Sequence, residues 1–149
     1  MASELLDHVK GYYDALSRGD ADEVASYFTD DATHYYTRLG PHHGREIADN
    51  AELGVKHLDA KWILEHGIDD GNEAVIEWTM VWTDPKSGKR RLDRGTEWFR
   101  FRDGKIQIDE KVTNRRNAAD ELAALPPPDE IDELPVKADP APAEHGGVA

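Results

Sequence analysis

The chain has no cysteine, which excludes disulfides, thiolate metal ligands and a cysteine nucleophile. No apolar run approaches the ~20 residues that a membrane-spanning helix needs. The opening Met1-Ala2-Ser3-Glu4-Leu5-Leu6 lacks the basic-then-apolar order of a secretory signal. Basic residues are few beside the acids, for a net charge of −13. Phosphate backbones demand a basic stripe, so nucleic acid is not an expected partner. Proline is scarce up to Leu125, because six of the eight prolines follow it. These absences leave a cytoplasmic protein with no membrane segment as the expectation.

At 149 residues the chain is long enough for one domain with a single core. Its charge is unevenly spread. From residue 117 onward eight acids face one base, Lys137, so that stretch accounts for more than half of the net charge. The same stretch is rich in proline and alanine and has too little apolar surface to offset the entropy of ordering. The expectation is a domain over residues 1–116 and an acidic, disordered tail over 117–149.

Before residue 59 the apolar spacing is helical. Leu5, Leu6, Val9, Tyr12, Tyr13 and Leu16 form one stripe behind a cap at Ser3. Val24, Ala25, Tyr27 and Phe28 form a short second helix, and Ile47, Ala51, Val55 and Leu58 a third. Between the second and third, Ala32–Thr37 reads as a strand and residues 39–44 as a loop. After Asp59 the period becomes two. Residues 61–66, 74–83, 92–102 and 105–113 are four strand candidates, separated by turn signals at Asp69–Asn72, Asp84–Gly88 and Asp103-Gly104. Helices followed by an antiparallel meander make an α+β plan.

The last hairpin, Arg94–Thr113, is the densest in chemistry. Its Asp103-Gly104 turn accepts positive φ. Alternation places Gly95, Glu97, Phe99 and Phe101 on one side of the first strand, and Gln107, Asp109, Lys111 and Thr113 on one side of the second. If both sides are the concave face, two acids and a lysine project among aromatics, as in a pocket. Trp98 has the opposite parity and faces outward. The facing of Trp78, Met80 and Trp82 is left open by the turn near Pro85.

Three segments, in order, resemble the nuclear-transport-factor-2-like superfamily over roughly residues 3–115. They are Tyr12–Asp20, Phe28–Thr33 and Glu97–Phe101 with Asp103–Ile106. This SnoaL-like group includes ketosteroid isomerases, polyketide cyclases, limonene epoxide hydrolase and scytalone dehydratase. The resemblance implies a cone-shaped barrel, a curved and mostly antiparallel sheet around N-terminal helices, with a pocket inside and a homodimer through the outer sheet face. It also implies that Tyr12 holds a substrate carbonyl with Glu97 as its acidic partner. The isomerases' general-base aspartate falls here on Tyr36, and the epoxide hydrolase's last-strand aspartate falls on Lys111, so neither reaction transfers intact.

The resulting expectation is a cofactor-free isomerase, dehydratase or cyclase acting on a hydrophobic small molecule that bears a carbonyl or hydroxyl. Tyr12, His34, Tyr36, Glu97, Asp109 and Lys111 are its candidate catalytic groups. Asp109 serves as base, His34 supports proton transfer, and Lys111 is an electrostatic stabiliser or Schiff-base nucleophile. Phe99, Phe101, Trp78 and His43 are candidate binding residues. No carboxylate sits at ligand spacing from His34, His42 or His43 in the sequence, so no metal is expected. The alternatives are a ligand-binding or dimeric scaffold of the same fold, or an acidic arm that binds a partner protein.

Overall fold

A computed structural model describes residues 4–36 and 39–116. Its elements run α1 (Glu4–Arg18), α2 (Ala21–Ser26), β1 (Phe28–Tyr36), β2 (Gly40–His43), α3 (Arg45–Leu58), β3 (Lys61–Asp69), β4 (Glu73–Thr83), β5 (Arg90–Arg102) and β6 (Lys105–Arg116). Ser3, Thr37 and the tail lie outside the described residues. No helix among those described is long and apolar enough to cross a membrane.

The α1 stripe buries Leu6, Val9, Tyr12, Tyr13, Ala15 and Leu16. The helix stops at Gly19, whose φ of 69° suits a residue without a Cβ. Asp20 then caps α2 by accepting from the Glu23 N–H at 3.1 Å. The second helix is shorter than its apolar pattern suggests. Tyr27 is its C-cap, and Phe28 already belongs to β1.

The sheet is open, six-stranded and ordered β2-β1-β6-β5-β4-β3. The meander β3 to β6 is antiparallel, and β1 inserts parallel to β6. The α+β roll is therefore as expected, with the curved sheet left open at β2 and β3. The predicted loop at 39–44 is replaced by an edge strand. β2 pairs with β1 from Thr33↔His43 to Tyr36↔Gly40. Its sequence, Gly-Pro-His-His, has no alternation to announce a strand, and an edge position tolerates proline because one side needs no donor.

The last hairpin forms at Asp103 and Gly104, with φ of 52° and 78°, both positive as a type I′ turn requires. Its register pairs Gly95 with Thr113, Glu97 with Lys111 and Phe99 with Asp109. These residues share the concave face. Gln107 does not follow the expected alternation. A bulge between Arg100 and Phe101 sets Phe101 opposite Ile106, so Ile106 is the buried residue there. Trp78 pairs with Gly95 and Met80 with Asp93, which turns both inward, whereas Trp98 is 45% exposed on the outer face.

Gly95 allows this arrangement. A Cβ on it would lie 1.9 Å from the Val112 carbonyl oxygen and 2.6 Å from the Trp78 ring. The indole can lie across β5 only because nothing projects from that position. Gly95→Ala is therefore expected to cost about 3 kcal/mol, at the upper end of overpacking penalties. Urea denaturation checks this, and an unchanged midpoint would mean that Trp78 is free to move.

Candidate functional site

Between α1, α3 and the concave face of the sheet lies a cavity of about 260 Å³. Its walls are mostly apolar: Leu16 from α1, Ala51, Gly54 and Leu58 from α3, and Trp62, Trp78 and Met80 from the sheet. Leu39 lines it beside β2. The polar groups on its surface are Tyr12, Tyr36, Asn50, Asp93, Lys111 and Thr113. The volume is just below the usual range for drug-sized ligands, which suits a small molecule.

Behind this lining sits a layer of buried ionisable groups. Glu97 is 1% exposed, and His34 and Asp109 are fully buried. The Tyr13 hydroxyl donates to Glu97 Oε1 at 2.9 Å, and Lys111 Nζ lies 3.4 Å from the same oxygen. His34 Nε2 approaches Asp109 Oδ2 to 3.1 Å, a cross-strand pair in the β1–β6 ladder. That approach is off the hydrogen-bond axis, so it is a contact rather than a formed hydrogen bond. The His34 ring stacks on Tyr36 at 3.8 Å and 10°, and Tyr36 meets His42 edge-on at 4.9 Å. Tyr36 and Lys111 thus cover the buried layer on its cavity side.

Burial dominates the protonation states. It pushes the Asp109 carboxyl well above the ordinary carboxylate range, and neighbouring Glu97 adds to the shift. Glu97 is also raised by burial, but Lys111 and the Tyr13 hydroxyl oppose the rise. The proton of the pair therefore belongs on Asp109, from where it bonds to Glu97. The remaining negative charge on Glu97 faces the Lys111 ammonium. His34 is held well below its usual value by burial first, then by Lys111 and His42, and is neutral. Burial and the nearby carboxyls raise Tyr12, Tyr13 and Tyr36, which keeps all three as hydroxyl donors.

The structure redistributes the expected roles. Tyr12, Tyr36, Lys111 and Trp78 reach the cavity; Glu97, Asp109 and His34 gather behind it. The partner of Glu97 is Tyr13, not Tyr12, because Tyr13 is the residue that α1 turns toward β5. Tyr12 packs edge-on against Tyr13 and Phe28. Phe99 and Phe101 do not line the cavity. They lie beyond Glu97 toward the hairpin turn, where Phe99 packs on Tyr12 and Phe101 approaches His8. His43 is exposed and bonds to the Thr33 hydroxyl at 3.0 Å, since alternation in β2 turns His42 toward Tyr36 instead.

In the sequence no carboxylate sits at ligand spacing from His34. In the fold, donor atoms of His34, Glu97 and Asp109 all lie within 4.8 Å of one another. Such a trio is able to coordinate a cation, but Lys111 already supplies a positive charge to Glu97. Asp93, 8% exposed and on the cavity wall, escaped notice in the sequence although it shares the parity of Gly95 and Glu97. Asn50 and Tyr13 carried no comparable signal.

The raised Asp109 carboxyl has a consequence for stability. A carboxyl whose folded pKa exceeds its unfolded one, about 3.9, stabilises the fold below that value. The contribution is lost as pH rises through the folded pKa. Asp109→Asn stays neutral throughout. Relative to it, the wild-type melting temperature is expected to fall steadily as pH climbs from about 4. Parallel melting curves across that range would show that Asp109 is already ionised.

Several solved structures resemble this fold. A protein of unknown function with a cystatin-like fold from Methylobium petroleophilum is 23% identical, with a TM-score of 0.67 over 80% of this chain and 83% of its own. A candidate polyketide cyclase from Xanthomonas campestris is 20% identical, with a TM-score of 0.66 over 74% and 90%. An epoxide hydrolase of the LEH-like type from M. tuberculosis is 18% identical, with a TM-score of 0.66 over 76% and 84%. At these identities the likeness concerns the fold. None of the curated proteins matches the chain. Residues 9–107, however, match the SnoaL-like domain family, and the chain belongs to it.

Proposed function

We propose that the protein is a cofactor-independent enzyme that moves protons on a small, hydrophobic, carbonyl-bearing molecule, as an isomerase, dehydratase or cyclase. The observation that carries this reading is the convergence of Tyr12, Tyr36 and Lys111 on one apolar cavity. A carbonyl oxygen placed there meets two neutral hydroxyl donors and an ammonium, in a site where little water competes. Enolate character developing on that oxygen is stabilised more than the ground-state carbonyl. Glu97 and Asp109 act one layer back. They position Lys111 and hold a proton that Lys111 relays, so Asp109 is a proton store rather than a base touching the substrate. Asp93 is the carboxyl group on the cavity wall and takes the α-proton.

One observation favours a second reading. Glu97 and Asp109 do not face the cavity, which suits a binding protein whose charges only support the lining. The two readings separate in D2O. Exchange of α-protons into a panel of hydrophobic ketones and enones, followed by proton NMR, is expected with the wild type. Tyr36→Phe, Glu97→Gln and Asp93→Asn should each slow it about tenfold or more while the circular dichroism stays native. Ketones that bind saturably, by tryptophan fluorescence, yet never exchange would leave only the binding reading.

The assembly is proposed to be a homodimer through the outer sheet face. Tyr35 and Trp98, each 45% exposed, flank Glu110 in one cross-strand row that continues through Val75 to Ile68, and Val112 lies beside it. Aromatic residues exposed in a contiguous patch are typical of an interface core. Sedimentation equilibrium is expected to give the mass of two chains for the wild type and one for Trp98→Glu. A monomeric wild type would remove the proposal.

A further inference from the structure

Lys111 is unusual among the charged groups of this chain in where its amine is held. Its side chain is only 12% exposed, the residue lines the cavity, and its Nζ lies 3.4 Å from Glu97 Oε1. Three aromatic rings surround that nitrogen, with centroids at 4.9 Å for Trp78, 5.8 Å for Trp62 and 5.9 Å for Tyr13. A lysine stem normally samples many rotamers, and this one is fixed by packing. The amine is thereby presented at one point of an apolar space, next to a carboxyl group 3.4 Å away. An ion pair alone requires no such placement. A nucleophilic amine does, since it needs an apolar approach for its electrophile and an adjacent group to take its proton.

We propose that Lys111 forms an imine with a small hydrophobic aldehyde or ketone bound in the cavity. The balance closes within the site. Glu97 takes one proton from the Lys111 ammonium. The freed lone pair forms a C–N bond to the carbonyl carbon, and the carbonyl π electrons move to oxygen, which is protonated to give a carbinolamine. A second N–H proton reaches that hydroxyl through Glu97 as the C–O bond breaks and water leaves. An ammonium and a carbonyl thus become a protonated imine and one water, with no other reactant. Glu97 is suited to the shuttle because burial raises its carboxyl, so it both accepts and returns a proton, while Tyr13 holds it in place at 2.9 Å. Tyr12 and Tyr36 line the same cavity, and their hydroxyls would hold the carbonyl oxygen.

This inference rests on the cavity being a carbonyl site, as proposed above, but not on turnover there. The full chain is incubated with cinnamaldehyde and sodium cyanoborohydride, then analysed by intact mass and peptide mapping. Reduced adduct is expected at Lys111 roughly tenfold faster than at the average of the other seven lysines. Cinnamyl alcohol, which fits the same space but has no carbonyl, should slow labelling at Lys111 alone. Lys111→Arg should abolish the fast phase, and Glu97→Gln should slow it with Lys111 intact, which keeps the test independent of how well the arginine variant folds. Labelling spread evenly over the lysines, or labelling at Lys111 indifferent to cinnamyl alcohol, overturns the proposal. Proton exchange without preferential labelling sinks imine formation and spares the acid–base reading. Labelling without exchange does the reverse.

Discussion

The arrangement of the interior depends on burying two carboxyl groups side by side. An ionised carboxylate in an apolar interior is too costly to leave alone, and two within reach of one another cannot both ionise. The fold meets this by placing one cation and one hydroxyl against Glu97 and by leaving the proton on Asp109. Because Glu97 and Lys111 are direct cross-strand partners, and His34 and Asp109 likewise, the register of three adjacent strands is tied to the same cluster. A one-residue slip in either ladder would turn a charge into the core without its partner. The cluster therefore specifies the register as much as it prepares chemistry.

The cavity is the other side of that constraint. Lys111 bridges the two, with Glu97 at its back and the aromatic walls around its nitrogen. Trp78 has room to stand there because Gly95 leaves space beneath it, and Gly54 of α3 lets Trp62 approach to 3.3 Å of where a Cβ would stand. Small residues under large rings thus set the shape of the site, while charges behind the wall set its electrostatics. The tyrosines Tyr12 and Tyr36 stay protonated for the same reason that Asp109 does, because burial disfavours charge.

Much of the fold was legible from period alone. Three helices and four meander strands follow from apolar spacing, and the final hairpin follows from Asp103-Gly104 with its flanking alternation. Counting residues back from that turn would set Glu97 opposite Glu110, and the bulge shifts the register by one to give the Glu97–Lys111 and Phe99–Asp109 pairs. The bulge that replaces Gln107 by Ile106 breaks the count because an extra residue leaves no compositional mark. The edge strand β2 was illegible because its four residues gain their hydrogen bonds from β1 and not from any pattern of their own.

Site residues divide along the same line. Parity along a strand is a local property, so the sequence by itself determined that Asp109 and Lys111 share a face and that Glu97 opposes Trp98, while the bulge in β6 decided that both sets share the concave face. Asp93 was available by the same rule. Which of two consecutive tyrosines meets Glu97 is not local. It depends on how α1 rotates as it settles on the sheet, and that rotation is decided by the packing of Leu6, Val9 and Leu16 together. Tertiary structure alone likewise brought His34 beside Asp109, since the parallel pairing of β1 with β6 joins segments more than 70 residues apart. It also decided that the acids stand behind the cavity wall and the lysine on it. Depth within a core is set by what packs in front of a side chain, and no spacing along the chain encodes that.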